Sequence, residues 1–223
     1  MAQFNVAEKF ISINGEGKLA GQLAVFIRFC GCNLNCSYCD TLWANEAGAP
    51  FESMSEDEIY YYIKGTGVRN VTLTGGEPLI QKDIDILLKK LSEDEDIRVE
   101  IETNGSVDIS AFDDIKENRP SFTIDYKLPG SGMEDAMFLL NFSRAGSNDS
   151  IKFVVSDERD LEKAKIVIDK FKLRGKCSIF LSPVFGKIEP VQIVDFIEKY
   201  NLTDVNLQLQ LHKIIWDPNK KGV

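Results

Sequence analysis

The sequence predicts an α/β protein built from repeated strand and helix units around a parallel sheet. Short runs of β-branched and aromatic residues alternate with segments of helical periodicity along nearly the whole chain. At 223 residues with 43% hydrophobic content, the chain can bury a sizeable core and suits a single domain over residues 1–223. About six or seven parallel strands are expected, and periodicity leaves open a doubly wound sheet or an incomplete barrel.

Strands are predicted where β-branched and aromatic residues cluster, at residues 24–29, 70–73, 98–103, 121–125, 150–155, 178–181 and 205–211. The first helix should begin at Ser55, because Ser55 and Glu58 have the spacing of a capping box. Two further helices are predicted from apolar residues at three- and four-residue steps. These residues are Ile80, Ile84, Leu87, Leu88 and Leu91 after Pro78, and then Leu161, Ala164, Ile168 and Phe171. Pro190 fits the first turn of a fourth helix.

Four loops follow predicted strands and carry the polar motifs of the chain. They span residues 30–41, 74–78, 104–105 and 127–131. Ligands of both candidate architectures bind at the carboxyl ends of the strands. We therefore expect the four loops to converge on one face.

The amino-acid composition limits which classes of partner and metal site are expected. The net charge of −9 argues against nucleic-acid binding, and the basic patch at Lys220 and Lys221 is short. No apolar run is long enough to cross a bilayer and no signal segment is evident, so we expect a cytoplasmic protein without a membrane partner. A single histidine, His212, excludes a histidine-rich metal site. Five cysteines with three clustered indicate metal ligation before disulfides.

The clustered cysteines are Cys32, Cys36 and Cys39. A [4Fe-4S] cluster held by protein alone takes four thiolates, so three leave one iron open to a small molecule. The spacing Cys-x3-Cys-x2-Cys resembles the signature of the radical S-adenosylmethionine (SAM) superfamily. That resemblance implies that SAM binds the open iron and is cleaved to a 5′-deoxyadenosyl radical. The alternative is a zinc-stabilised, non-catalytic module with Cys30 as fourth ligand, which is disfavoured because Cys30-x-Cys32 is tighter than usual zinc spacing. Cys30 and Cys177 are then packed residues.

The surrounding motifs resemble a narrower family, the 7-carboxy-7-deazaguanine synthases. The matching motifs are Asn14-Gly-Glu-Gly17, Gly21, Phe26-x-Arg28, Gly31-Cys-Asn-Leu34, Cys39-Asp-Thr41, Thr74-Gly-Gly-Glu77, Glu102-Thr-Asn-Gly105 and Gln210-Leu-His-Lys213. The resemblance implies a single-domain, incomplete TIM-like barrel of about six parallel strands with a radical SAM core, usually a homodimer. It implies conversion of 6-carboxy-5,6,7,8-tetrahydropterin to 7-carboxy-7-deazaguanine on the queuosine precursor pathway, with Mg²⁺ and a flavodoxin-like electron donor. A glycyl-radical activase is a second alternative, since it shares the cysteine spacing and small size.

The resemblance also implies roles for individual residues. Thr41 matches a magnesium contact, where a hydroxyl is a weak hard-oxygen ligand; otherwise it would be a turn or cap residue. Substrate contacts are implied for Ile13, Asn14, Gly15, Glu16, Arg28, Thr74 and Pro218. Contacts with SAM are implied for Tyr38, Cys39, Asp40, Gly76, Asp125, Tyr126, Lys127, Ser182, Pro183, Val184 and Phe185.

The chain departs from the family pattern in three places. Asn14 replaces a glutamine, Asp125-Tyr126 replaces Ser-Pro, and Leu211 interrupts a Gln-Thr-His-Lys tail. Residues 219–223 continue beyond Pro218, which puts a contact from the terminal carboxylate in doubt. No single general acid or base is assigned.

Overall fold

A computed structural model describes all 223 residues. Its single sheet has nine strands in the spatial order β3-β1-β2-β4-β5-β6-β7-β8-β9. The strands are β1 Gln3–Ile13, β2 Leu23–Phe29, β3 Glu52–Ser55, β4 Asn70–Gly75, β5 Arg98–Thr103, β6 Ser121–Tyr126, β7 Ser150–Val155, β8 Ser178–Pro183 and β9 Val205–Leu207.

Seven of these strands, β2 and β4 to β9, form a parallel series in chain order. A doubly wound sheet reverses its strand order at a switch point, and this series does not. The sheet is also not closed, because β3 and β9 are its two edges. The incomplete barrel is therefore confirmed, with seven parallel strands where the resemblance implied about six.

The apolar core and the longer helices lie on one face of the sheet. The helices are α1 Glu56–Thr66, α2 Ile84–Ser92, α3 Leu140–Arg144, α4 Glu158–Phe171, α5 Pro190–Lys199 and α6 Leu211–Ile215. The predicted capping box at Ser55 and Glu58 is present at the start of α1. Along each parallel strand alternate side chains enter the core, such as Ile101 on β5 and Phe153 on β7. The intervening positions form a second face, which is polar.

Two strands were absent from the sequence prediction. β1 and β3 pair antiparallel beside β2. The alternation of β1 is broken by a register shift, since Val6 pairs with Phe29 and Glu8 with Arg28. Before this bulge the even-numbered side chains of β1 point to the core face, and after it they point to the polar face. The sequence of β1 therefore lacks a single period of two. β3 has four residues with one large apolar side chain, which is too short for a pattern.

Two predicted boundaries were wrong. The helix expected directly after Pro78 is a 3₁₀ turn, Pro78–Ile80, and α2 begins only at Ile84 after Asp83 adopts a left-handed conformation with φ of 61°. The strand expected at residues 205–211 ends at Leu207, and α6 begins at Leu211. None of the helices combines the length and the apolar character needed to span a bilayer.

Candidate active site

The cysteine loop crosses the carboxyl ends of the central strands. It leaves β2 at Phe29 and is fastened to the segment after β6, where Ser37 Oγ donates to the Gly130 carbonyl at 2.7 Å and Ser37 N to Ser131 O at 3.0 Å. The Tyr38 hydroxyl donates to the Val154 carbonyl of β7 at 3.2 Å. These contacts join the cysteine loop to the loop after β6. The loops after β4 and β5 join it through Glu77 N, which donates to Gly31 O, and Asn104 Nδ2, which donates to Cys32 Sγ, so the four motif loops converge on one face as expected.

The three clustered thiols are half-buried, and Cys32 and Cys39 contact different partners. Cys32 Sγ accepts from Leu34 N at 3.4 Å and from Asn104 Nδ2 at 3.5 Å. Cys39 Sγ lies 3.7 Å from Thr41 Oγ1. No three Cys, His, Asp or Glu side chains stand close enough together to share one metal ion. A mononuclear zinc site needs such convergence, whereas a four-iron cluster spreads its ligands over separate irons.

The other two cysteines lie apart from this arrangement. Cys30 Sγ approaches the Pro50 carbonyl at 3.9 Å, and Cys177 Sγ approaches Leu173 O at 3.9 Å. Burial raises the pKa of the Cys177 thiol to about 11. Both residues therefore behave as packed thiols.

The double glycine after β4 is required by close backbone approach. A Cβ on Gly76 would lie 1.9 Å from the Gly31 carbonyl oxygen, and one on Gly75 would lie 2.4 Å from Phe29 O. Gly75 also has a φ of 148°, which side chains disfavour. The turn therefore packs directly against the start of the cysteine loop. Glu77 N donates a hydrogen bond to Gly31 O of that loop at 2.9 Å.

The buried carboxylate of Glu77 holds this turn in place through three hydrogen bonds. This carboxylate is fully buried and accepts from Leu79 N at 3.0 Å, Thr103 Oγ1 at 2.7 Å and Asn104 N at 2.6 Å. Burial raises its pKa to about 6, against the opposing effect of these donors. Asn104 in turn reaches Cys32 and Asn33, so the carboxylate ties β4 and β5 to the cysteine loop.

Thr41 precedes the 3₁₀ turn Leu42–Ala44 but does not cap it through its side chain. Its hydroxyl donates to the Gly75 carbonyl at 3.5 Å instead. Thr41 thus lies beside both Cys39 and the double glycine. Its carbonyl accepts from Ala44 N at 3.0 Å, so Thr41 also closes the turn, in line with the alternative role as a turn residue.

A chain of alternating charges crosses the polar face. Lys152 Nζ lies 3.5 Å from Glu16 Oε2 and 3.3 Å from Asp125 Oδ1, and Lys127 Nζ lies 2.8 Å from Asp125 Oδ2. Ser182 Oγ donates to Glu16 Oε1 at 2.9 Å. Burial alone would raise the pKa of Asp125, but the two lysines hold it below its usual range. Residues of the proposed substrate and SAM sites are thereby joined in one network.

Two further polar pairs line the same face. Arg28 Nε donates to Glu8 Oε1 at 2.7 Å, across the bulge of β1. Thr74 Oγ1 donates to Glu102 Oε2 at 2.9 Å. Burial raises the pKa of Glu102. These pairs place a guanidinium and a carboxylate on either side of Thr74.

The C-terminal segment lies over the loop after β1. Leu211 N donates to the Gly15 carbonyl at 3.1 Å, and a Cβ on Gly15 would lie 2.4 Å from His212 Nδ1. Lys213 Nζ lies 3.4 Å from Asp40 Oδ2 of the cysteine loop. α6 therefore bridges the proposed substrate loop and the cysteine loop.

Some expected contact residues lie elsewhere. The Tyr126 ring is buried in the core against Phe142, so only its backbone faces the site. Asn14 bonds to Thr72, two residues deeper along β4 than Thr74, and its Nδ2 is buried without a partner. Pro218 is exposed and outside the charge network.

The remaining expected residues follow the elements that carry them. Ile13 is half-buried at the end of β1 and pairs with Leu23. Ser182, Pro183 and Val184 are buried at the end of β8, whereas Phe185 is 57% exposed.

Sequence reasoning overlooked Glu102 and Lys152 as site residues. Strands of a buried parallel sheet are usually near-continuous apolar runs. A charged residue alternating with apolar ones, as in Val99-Glu100-Ile101-Glu102 and Ile151-Lys152-Phe153, departs from that rule. This alternation is the signal that marks a polar inner face.

Comparisons with known proteins agree with this geometry. A family model described as the Radical SAM superfamily matches residues 26–129. A protein of Clostridium acetobutylicum named 7-carboxy-7-deazaguanine synthase is 59% identical over 220 residues, covering 99% of each chain. A Chlorobaculum tepidum protein of the same name is 37% identical over 225 residues, covering 100% of this chain and 98% of its own. The crystal structure of QueE from Escherichia coli superposes with a TM-score of 0.71 over 93% of this chain and 94% of its own, and its 24% identity shows the shared fold.

Proposed function

Because the chain belongs to the 7-carboxy-7-deazaguanine synthase family, a branch of the radical SAM superfamily, we propose that it converts 6-carboxy-5,6,7,8-tetrahydropterin to 7-carboxy-7-deazaguanine. The reaction contracts the pterin ring with loss of ammonia, in the queuosine precursor pathway. The observation that carries the proposal is the position of the cysteine loop directly over a charged inner face at the carboxyl ends of the strands. This is where a barrel binds its ligands.

The cysteine loop fits a [4Fe-4S] cluster held by Cys32, Cys36 and Cys39. The N–H groups of Leu34 and Asn104 directed at Cys32 Sγ suit a thiolate ligand, since such bonds stabilise negative charge on sulfur. When bound, the cluster and SAM together supply a carbon radical able to take a hydrogen atom from substrate. The chain itself contributes binding, orientation and exclusion of water.

SAM would lie between the double glycine and the ends of β6 and β8. Gly76 would contact the SAM amino group through its backbone, and Tyr38 would pack against the adenine. Lys127, fixed by Asp125, provides a buried cation for the SAM carboxylate. The remaining contacts in this site are Cys39, Asp40, Tyr126, Ser182, Pro183, Val184 and Phe185.

The pterin would lie on the other half of the polar face. Arg28 can direct a fork of donors at the substrate carboxylate, with its Nε already oriented by Glu8. Glu16 retains acceptor capacity for ring N–H groups, because an ionised carboxylate accepts about four hydrogen bonds. Thr74 lies between the Arg28 guanidinium and the Glu102 carboxylate, and its hydroxyl donates to Glu102. Ile13, Asn14, Gly15 and Pro218 complete the proposed set, with Ile13 and Gly15 acting through their backbone.

The chain's residues hold the C6 position of the pterin beside SAM, and α6 covers the loop at Gly15 to limit access of water. Thr41 would contribute one oxygen to a Mg²⁺ ion whose other ligands come from substrate, where the ion stabilises developing charge. Family membership further supports a homodimer and a flavodoxin-like electron donor. The activase alternative lacks support among the relatives, and the zinc alternative lacks a convergent ligand set.

The test is turnover by anaerobically reconstituted protein with SAM, reductant, Mg²⁺ and 6-carboxytetrahydropterin. Mass spectrometry should detect 7-carboxy-7-deazaguanine, and omission of Mg²⁺ should slow its formation. The R28L variant should raise the KM for the pterin while SAM binding stays unchanged. Product formation that is equally fast with a pterin lacking the 6-carboxylate would refute the role given to Arg28.

A further inference from the structure

We propose that Lys152 is a positioning residue that holds the Glu16 carboxylate in place for the substrate. The inference deepens the proposed function and rests on it. Lys152 lies on β7, at the centre of the polar face, and is 7% exposed. Neither the cysteine motif nor the substrate motifs include it.

Register places Lys152 between two carboxylates from different parts of the chain. Lys152 on β7 pairs directly with Asp125 on β6. Glu16 reaches the same ammonium from the loop after β1, 136 positions away in the sequence. Burial would lower the pKa of Lys152, but the carboxylates of Asp125, Glu16 and Glu102 outweigh burial and raise it well above its usual value. The ammonium therefore stays charged in the folded protein.

Glu16 depends on this ammonium because Lys152 is the one lysine or arginine that pairs with it. His212 lies close to Glu16, but burial lowers the pKa of its imidazole and favours the neutral form. The remaining donors to Glu16 are neutral, the Ser182 hydroxyl at 2.9 Å and the Gln210 amide at 3.4 Å. A buried carboxylate without a cationic partner is costly and tends to take up a proton or to move. The Glu16 side chain is only 11% exposed, so water compensates its charge poorly.

Asp125 fixes the lysine from the opposite side. One of its oxygens faces Lys152 at 3.3 Å and the other faces Lys127 at 2.8 Å. Removing the charge of Asp125 would leave Lys152 attracted to Glu16 but free to shift along the strand. Asp125 therefore positions Lys152, and Lys152 positions Glu16. Of the three, only Glu16 touches the pterin.

The experiment is isothermal titration of 6-carboxytetrahydropterin into reconstituted enzyme that holds SAM, without reductant so that no turnover occurs. K152M keeps the length of the side chain and removes its charge. It should weaken pterin binding about 10- to 100-fold, the loss expected when a hydrogen bond to a charged group is removed, while SAM affinity stays within about threefold. K152R should retain more affinity than K152M. K89M, which removes an exposed lysine paired with Asp85 on α2, is the matched control and should bind as wild type.

A double-mutant cycle with E16Q gives the decisive readout. If Lys152 acts through Glu16, K152M should have little further effect once Glu16 is Gln. The proposal would be overturned if K152M weakened pterin binding by the same factor in wild type and in E16Q. It would also be overturned if K152M bound the pterin like wild type. Should K152M fail to assemble its cluster, the same cycle with K152R and E16Q decides the question. Wild-type enzyme that does not bind the pterin would overturn the proposed function itself, which separates the two failures.

Discussion

Replacing Gly76 by alanine should disrupt the cysteine loop through a steric contact that the structure defines. The added Cβ would lie 1.9 Å from the Gly31 carbonyl oxygen and 2.4 Å from its carbon, where ordinary contact begins at 3.4 Å. The obstructing atoms are backbone, so a side-chain rotation cannot relieve the contact. Gly31 must therefore retreat by about 1.5 Å, and it carries Cys32 with it.

The energetic cost follows from two effects. Overpacking of this kind costs about 1–3 kcal/mol, and loss of the hydrogen bond from Glu77 N to Gly31 O adds about 0.5–1.5 kcal/mol. The unfolding free energy should fall by about 2–4 kcal/mol, which lowers the Tm of a chain of this size by about 5–15 °C. Iron and sulfide incorporation should fall as well, because the displaced residue adjoins a cluster ligand.

The assay is urea unfolding followed by circular dichroism, with iron and sulfide counted after anaerobic reconstitution. Gly65→Ala is the matched control, since its Cβ in α1 meets no atom within 4 Å. That variant should stabilise the fold by about 0.5–1 kcal/mol, because alanine suits a helix better than glycine. G76A with wild-type stability and a full cluster would refute the close-approach explanation.

Three other perturbations test separate parts of the account. The folded pKa of Glu77 is raised from 4.5 to about 6, so this group favours folding by about 2 kcal/mol below pH 4.5 and loses that contribution as pH rises through 6. The stability difference between wild type and E77Q, measured by urea unfolding at about pH 3.5 and about pH 7, on either side of both pKa values, should change by that amount, and a constant difference would contradict it. Ser55→Ala removes the capping box of α1 and should cost about 1 kcal/mol in the same assay, with no loss if the box is irrelevant. C30S should keep the full iron and sulfide content while C36S loses it, whereas equal losses would favour a four-cysteine site.

The parallel part of the fold was predictable because each strand and helix satisfies a local pattern. The helical period after Pro78 and the capping box at Ser55 follow from nearest-neighbour geometry. The antiparallel edge was not predictable, because the bulge between Val6 and Glu8 changes the face that β1 presents. The choice of an incomplete barrel over a doubly wound sheet depends on strand order, which local periodicity does not encode.

The cysteine loop was predictable because its ligands are adjacent in sequence and their spacing is chemically specific. Lys152 was not, since its meaning depends on Glu16 and Asp125, which approach it only when distant segments fold together. Tyr126 shows the converse, because its place in the sequence assigned it to the site while its side chain belongs to the core. The contact roles given to the site residues, and the assignment of residues 1–223 to one domain, stay predictions.

The central claim is that this chain directs radical chemistry onto a carboxylated pterin. The most direct measurement counts 7-carboxy-7-deazaguanine and 5′-deoxyadenosine in one anaerobic reaction of the reconstituted enzyme. Because family membership implies that SAM is regenerated in each turnover, we expect deazapurine in excess of 5′-deoxyadenosine. Efficient SAM cleavage with no deazapurine would contradict the proposed substrate.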